Sequence, residues 1–162
     1  MDLVTPRLVL HPITPAEAAR IVAGVAAPGD DWHPEYPLAD ELDVLPAIAN
    51  ADPALLDPVF RLYLIRRRAD GLAVGGIGFL GVPDDGVAEL GYGLVPAARG
   101  RGYATEALRA AVGLALRHGA SAVVAETTDD NRASQRVLEK GGFSVERHGD
   151  GGIRYRRDAR AT

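Results

Sequence analysis

Residues 89 to 116 read ELGYGLVPAARGRGYATEALRAAVGLAL. The stretch opens as a strand, and from Tyr103 onward apolar residues recur at helical spacing: Ala104, Leu108, Ala111, Val112, Ala115 and Leu116. Pro96, Arg99, Gly100, Arg101 and Gly102 separate the two parts. A strand over 87–95, a helix from 103 to about 118 closed by Gly119, and a buried strand SAVVAET (121–127) make one β-α-β unit. Such a unit sets its two strands parallel, with the helix packed back on the sheet.

The flanking segments predict the rest. RLVLHPI (7–13) alternates as a first strand, and Thr14 and Pro15 start a helix over TPAEAARIVAGV. Residues 27–40 hold three prolines and read as loop, followed by a short helix that Pro46 interrupts. PVFRLYLIRRR (58–68), LAVGGIGFLGV (72–82) and the 87–95 strand, joined by ADG and PDDG turns, form an antiparallel meander. DDNRASQRVLEKGGF forms a second helix opening at Asp130 or Asn131, and SVERHG with GGIRYRRD forms a final hairpin. No linker or repeat divides the 162 residues, so a single domain spanning 1–162 is expected. Its fold is mixed α/β, with helices on both faces of a mixed sheet.

The turn itself has a chemistry. Unpaired N–H groups at a helix N-terminus point one way and carry the positive end of the helix dipole, which suits an anion. Gly100 and Gly102 clear the approach to those amides, and Arg99 and Arg101 add charge whose planar fork matches phosphate. The pattern points to a diphosphate, although glycines serving only a tight turn would read the same. A P-loop needs lysine and then a hydroxyl residue after the last glycine, where this chain has Tyr103 and Ala104. A dinucleotide fingerprint opens the first β-α-β unit of its fold, whereas these glycines follow a meander.

Charge narrows the partners. The net charge is −4, and no Lys or Arg lies between Arg20 and Arg61, a gap holding eight acids. The other 14 acids face 18 bases, so an acidic region sits on a mildly basic remainder. That balance disfavours nucleic acid as the main partner. No apolar run reaches membrane-span length, the N-terminus lacks a signal-peptide pattern, and cysteine is absent, so a cytoplasmic setting is expected. His11, His118 and His148 have no ligand-like spacing, and no metal is expected.

Arg-Gly-Arg-Gly-Tyr-Ala (99–104) resembles the R/Q-x-x-G-x-G/A signature of the GCN5-related N-acetyltransferases, the GNAT superfamily. NRASQRVLEKGGF (131–143) resembles a second segment of the same group, and TPRLVLHPIT resembles the start of its ribosomal-protein alanine acetyltransferase (RimJ/RimL-like) branch. The resemblance implies a mostly antiparallel sheet of about six or seven strands with a splayed parallel pair in the middle. It implies acetyl-coenzyme A as co-substrate, with its pyrophosphate on Arg99, Gly100, Arg101, Gly102, Tyr103 and Ala104. The pantetheine arm would pair with the backbone of Leu94 and Val95, and Asn131 and Ser134 would reach the coenzyme. It implies a direct attack of a primary amine on the thioester, and a homodimer is common in such folds.

The matching position for a catalytic base is Glu89, at the start of the 87–95 strand, where Glu89, Gly91 and Gly93 alternate onto one face. His33, near neutral in ordinary pKa, is the alternative. Leu138 stands where many relatives carry a tyrosine that protonates the leaving thiolate, and Ser134 is then the candidate donor. For the acceptor, the acidic stretch would attract a cationic amine, and Trp32, His33 and Tyr36 form a candidate wall. The residues leave the acceptor open among peptide N-termini, polyamines, amino acids and aminoglycosides. A coenzyme-binding module without turnover is the competing reading.

Overall fold

The computed structural model describes residues 1–160. The strands are β1 (Leu3–Val4), β2 (Leu8–Pro12), β3 (Leu62–Arg67), β4 (Ala73–Phe79), β5 (Val87–Leu94), β6 (Ala122–Thr128), β7 (Ser144–Gly149) and β8 (Gly152–Asp158). The helices are α1 (Pro15–Ala23), α2 (Glu41–Ala49), α3 (Tyr103–Arg117) and α4 (Arg132–Lys140). The strands form one sheet in the order β1-β2-β3-β4-β5-β6-β8-β7.

Every neighbouring pair is antiparallel except β5 and β6. That parallel pair touches only where Val87, Ala88 and Glu89 face Ala122, Val123 and Val124. Beyond Glu89 the two strands part while β5 stays paired to β4 as far as Leu94. The splayed centre expected from the resemblance is therefore present.

The sheet has eight strands rather than six or seven. The extra one is the two-residue β1, which pairs Leu3 and Val4 with Leu10 and Val9. The predicted 58–68 strand begins only at Leu62, because the Asp57 carboxylate accepts the N–H groups of Val59 (2.8 Å) and Phe60 (2.7 Å) and curls the chain. The helix over 41–49 also runs through Pro46 without interruption.

α1 begins at a reciprocal cap, Thr14 with Glu17, and ends at Gly24 in the left-handed conformation. α3 buries Ala107, Leu108, Ala111, Val112 and Ala115, and packs on β2, β4, β5 and β6. Helices α1 and α2 pack on each other, and α2 covers the opposite face. A Cβ built on Gly76 of β4 would meet the Glu41 carboxylate, whereas the Tyr92 side chain of β5 reaches α4. Helices thus cover both faces of the splayed centre.

Candidate active site

β5 presents an open edge where β6 departs. Its ladder with β4 continues through the Glu89 carbonyl, which accepts from Leu80 N–H (2.8 Å), and the Val95 N–H, which donates to the Val74 carbonyl (2.8 Å). Main-chain groups alternate along an antiparallel strand, so those of Tyr92 and Leu94 turn toward the gap. Arg99 Nε donates to the Leu94 carbonyl at 3.0 Å. The Leu94 N–H and both main-chain groups of Tyr92 are left for a ligand strand. Val95, expected beside Leu94, is fully buried and its N–H is already used by the Val74 carbonyl, so that group is not free for a ligand strand.

The chain then passes through a 3-10 turn, Pro96–Ala98, to Gly100 at φ 75° and Gly102 at φ 83°. Both angles favour glycine. Gly102 is the N-cap of α3 and supplies no side-chain cap, so the first-turn amides keep their donors. Arg7 braces this turn: its Nε lies 2.8 Å from Glu106, its Nη1 donates to the Arg101 carbonyl at 2.7 Å, and its guanidinium stacks 4.6 Å from the Tyr103 ring centre. On the α4 side, Asn131 Oδ1 accepts the Ser134 N–H at 3.1 Å and caps that helix.

These parts enclose a cleft of about 650 Å³. Of the expected coenzyme residues, Leu94, Arg99, Gly100, Gly102, Tyr103, Ala104, Asn131 and Ser134 line it. Arg101 does not; its side chain is exposed and only its carbonyl joins the turn's bonding.

The Tyr92 hydroxyl lies 2.9 Å from Ser134 Oγ. Burial pushes the Tyr92 hydroxyl above its ordinary pKa, partly opposed by the bond to Ser134, and the phenol stays protonated at neutral pH. Sequence reasoning passed over Tyr92, taking the alternation of Glu89, Gly91 and Gly93 as the functional face. Leu138, at the place of the tyrosine found in many relatives, is fully buried in the core.

A second cavity, about 470 Å³, lies on the other face of the same strands. Its floor is a strip without side chains, in which Gly76 pairs with Gly93 and Gly78 with Gly91. Apolar walls come from Leu38, Val44 and Ile48 on one side and from Phe60, Leu62 and Phe79 on the other. Leu38, Asp40, Tyr92 and Gly93 line both cavities, so the two meet at β5. Glu41 is 7% exposed and lines this second cavity, and neither of its oxygens has a partner in hydrogen-bond geometry. Burial raises its pKa to about 7; the nearby Tyr36 hydroxyl opposes the rise and Asp40 adds to it.

The other expected residues lie outside both cavities. Glu89 continues the glycine face of β5 but sits before the splay, half-buried beside Val124. Trp32 bridges to Ala73 of β4 and packs against the core. The His33 N–H bonds the Ala73 carbonyl, and its ring Nδ1 accepts the Glu35 N–H at 3.0 Å. Tyr36 is buried, its ring centre 6.5 Å from that of Trp32. The 27–40 loop is thus pinned to the sheet by the residues expected to face the acceptor. Among the described residues there is no group of three or more potential metal ligands and no helix long and apolar enough to cross a membrane.

A parallel pair that parts beside a glycine-led helix start leaves the edge of one strand open in the middle of the sheet. Residues 7–144 match the acetyltransferase (GNAT) domain family, and the chain belongs to it. An uncharacterized N-acetyltransferase of Bacillus subtilis (strain 168), YjdG, is 38% identical over 86 residues, covering 52% of this chain and 51% of that protein. The match spans about half the length of that relative. An acetyltransferase structure from Agrobacterium tumefaciens is 26% identical with a TM-score of 0.69, covering 98% of this chain and 95% of that one. A RimL ribosomal-protein acetyltransferase in complex with coenzyme A shares the fold at 19% identity and a TM-score of 0.68, over 98% of each chain.

Proposed function

We propose that the protein moves an acetyl group from acetyl-coenzyme A to a primary amine by direct attack. One observation carries this reading: the open edge of β5 and the uncapped start of α3 line one cleft, and a second cavity meets that cleft at Tyr92 and Gly93. A ligand with a diphosphate and an amide-bearing arm fits both features.

The residues present fit the coenzyme. The amides following Gly100 and Gly102 would hold the diphosphate, with the helix dipole behind them. The Leu94 N–H and the main chain of Tyr92 would pair with the arm. When bound, acetyl-coenzyme A supplies the acetyl group as an activated thioester. One of these strand donors would instead face the acetyl oxygen, where negative charge develops during attack. The Tyr92 hydroxyl, held protonated and joined to Ser134, can give a proton to a leaving thiolate and recover one through Ser134.

Calorimetry with coenzyme A and acetyl-coenzyme A, followed by a thiol-release assay on an amine library, tests this. Micromolar binding of both, with thiol release from at least one amine, is expected. Absence of binding heat from either would overturn the reading, and binding without release from any amine would leave a coenzyme-binding module.

A further inference from the structure

The strongest unexplained feature lies on the α2 face. Buried polar groups without partners are costly and call for a reason. Among the described residues only Tyr36, Glu41 and Arg61 carry such side-chain atoms. Glu41 and Arg61 both line the 470 Å³ cavity. Arg61 spends one Nη on the Ile13 carbonyl, at 2.6 Å, and leaves its Nε unpartnered.

Resting on the function proposed above, we propose that this cavity takes a monoamine with an apolar body, and that Glu41 receives the amine's proton. The geometry supports each part. A Cβ on Gly76 would lie 2.9 Å from Glu41 Oε1, so the carboxylate rests directly on the bare strip. Gly76 pairs with Gly93, which lies at the junction with the coenzyme cleft. One strand spacing, about 4.8 Å, therefore separates the strand under the carboxylate from the strand bordering the thioester's path. Glu89, by contrast, lines neither cavity.

The walls select the rest of the molecule. Leu38, Val44, Ile48, Phe60 and Phe79 offer apolar surface to a hydrocarbon body. Arg61 sets a fixed cation in the wall, which repels a second ammonium, and its unpartnered Nε–H can donate to a carbonyl or carboxylate. Polyamines and aminoglycosides are thereby disfavoured against amines such as leucinamide or phenethylamine. The titratable and charged groups facing the site are Glu41 and Asp40 from the start of α2 and Arg61 from the entry to β3, with the Tyr36 hydroxyl of the preceding loop beside Glu41 itself.

The protons balance. An ammonium gives one proton to the Glu41 carboxylate and becomes a neutral amine able to form the new C–N bond. As the C–S bond breaks, the nitrogen's second proton replaces the one that the Tyr92–Ser134 pair gives to sulfur. Glu41 then returns its proton to water. A carboxylate with a pKa of about 7 is matched to this exchange near neutral pH.

The test compares leucinamide, phenethylamine, spermidine and kanamycin by thiol release and by calorimetry on wild type, Glu41→Gln and Gly91→Val. A Cβ at Gly91 meets nothing within 4 Å, so valine there fills the cavity without displacing the backbone. The apolar monoamines should exceed spermidine and kanamycin at least tenfold in kcat/KM. Glu41→Gln should lower that value about 100-fold or more, with the loss shrinking above pH 8 as free amine accumulates. Gly91→Val should abolish amine binding. Both variants should bind coenzyme A within twofold of wild type, with cooperative melts confirming that they are folded. Preference for spermidine or kanamycin, binding of neither monoamine by a protein that binds coenzyme A, or Glu41→Gln activity within threefold of wild type overturns the proposal while leaving the coenzyme reading intact. Loss of coenzyme binding in the wild type removes both.

Discussion

The Tyr92 hydroxyl and Ser134 Oγ are 2.9 Å apart, tying β5 to α4 in the larger cleft, and Tyr92 lines the second cavity as well. On the function proposed above, this contact would supply from the strand what a helix tyrosine brings in many relatives. Tyr92→Phe keeps the ring and removes only the donor. Turnover should fall by about 10²-fold, while coenzyme affinity changes less than twofold. Ser134→Ala should cost less, and the double variant should cost little more than Tyr92→Phe alone, because the two hydroxyls act in one chain. Steady-state kinetics on the three variants decides; additive losses would mean the hydroxyls act independently.

At Gly102, conformation and charge can be separated. Its φ of 83° strains any residue with a Cβ, and that Cβ would come 3.1 Å from an Arg7 Nη. Gly102→Ala should cost about 1–2 kcal/mol of stability and weaken coenzyme binding modestly. Gly102→Glu should cost similar stability but abolish binding, since its carboxylate would occupy the anion site. Thermal melts paired with calorimetry check this; equal coenzyme affinity in the two variants would remove the diphosphate from this turn.

Local rules carried much of this architecture. The Thr14 cap, the αL glycines, the meander turns and the period of α3 are short-range signals, and the elements they mark are present. The glycine turn before α3 was legible for the same reason, since strand, glycines and helix start are contiguous. The acceptor side was not. Glu41 follows a proline-rich loop and looks like one acid among eight; only its placement over Gly76, 35 residues later in the chain, distinguishes it. Tyr92 was hidden by register: its neighbours Gly91 and Gly93 define one face of β5, and its own hydroxyl lies on the other, against Ser134. Trp32 and Tyr36 look like ligand contacts because they are aromatic in an acidic loop, but a loop of that length needs anchors and uses them as such.

Glu41 gives stability a pH dependence. With a folded pKa of about 7 against an ordinary 4.5, the folded state prefers the neutral acid. The stabilisation this gives is full below about pH 4.5 and is lost as pH rises through 7. At 1.36 kcal/mol per pKa unit the whole effect is about 3 kcal/mol. Glu41→Gln removes the buried charge at similar volume, so its melting temperature should exceed wild type at pH 8 and converge with it near pH 5. A variant less stable than wild type at pH 8 would show that the carboxylate is structurally required.

His11 works in the adjoining pH range. Its Nδ1 lies 2.6 Å from Asp2 and its Nε2 2.9 Å from Glu17, so both ring nitrogens face acceptors and the doubly protonated ring satisfies both. Burial works to lower the His11 pKa, but the bonds to Asp2 and Glu17 outweigh it and hold the value above 6.5. Burial works to raise the Glu17 pKa, and the bonds to His11 and Thr14 outweigh that and hold it below its ordinary value. The His11 contribution is therefore complete below pH 6.5 and fades as pH rises through the raised folded value. The Glu17 contribution is complete above pH 4.5 and fades as pH falls through its lowered one. Together they clamp β2 to the start of α1 most firmly between those limits. His11→Gln should melt below wild type at pH 5.5 and approach it by pH 9, in thermal scans on the Glu41→Gln background that remove the opposing titration. An unchanged gap across that range would show that the histidine packs without exchanging a proton.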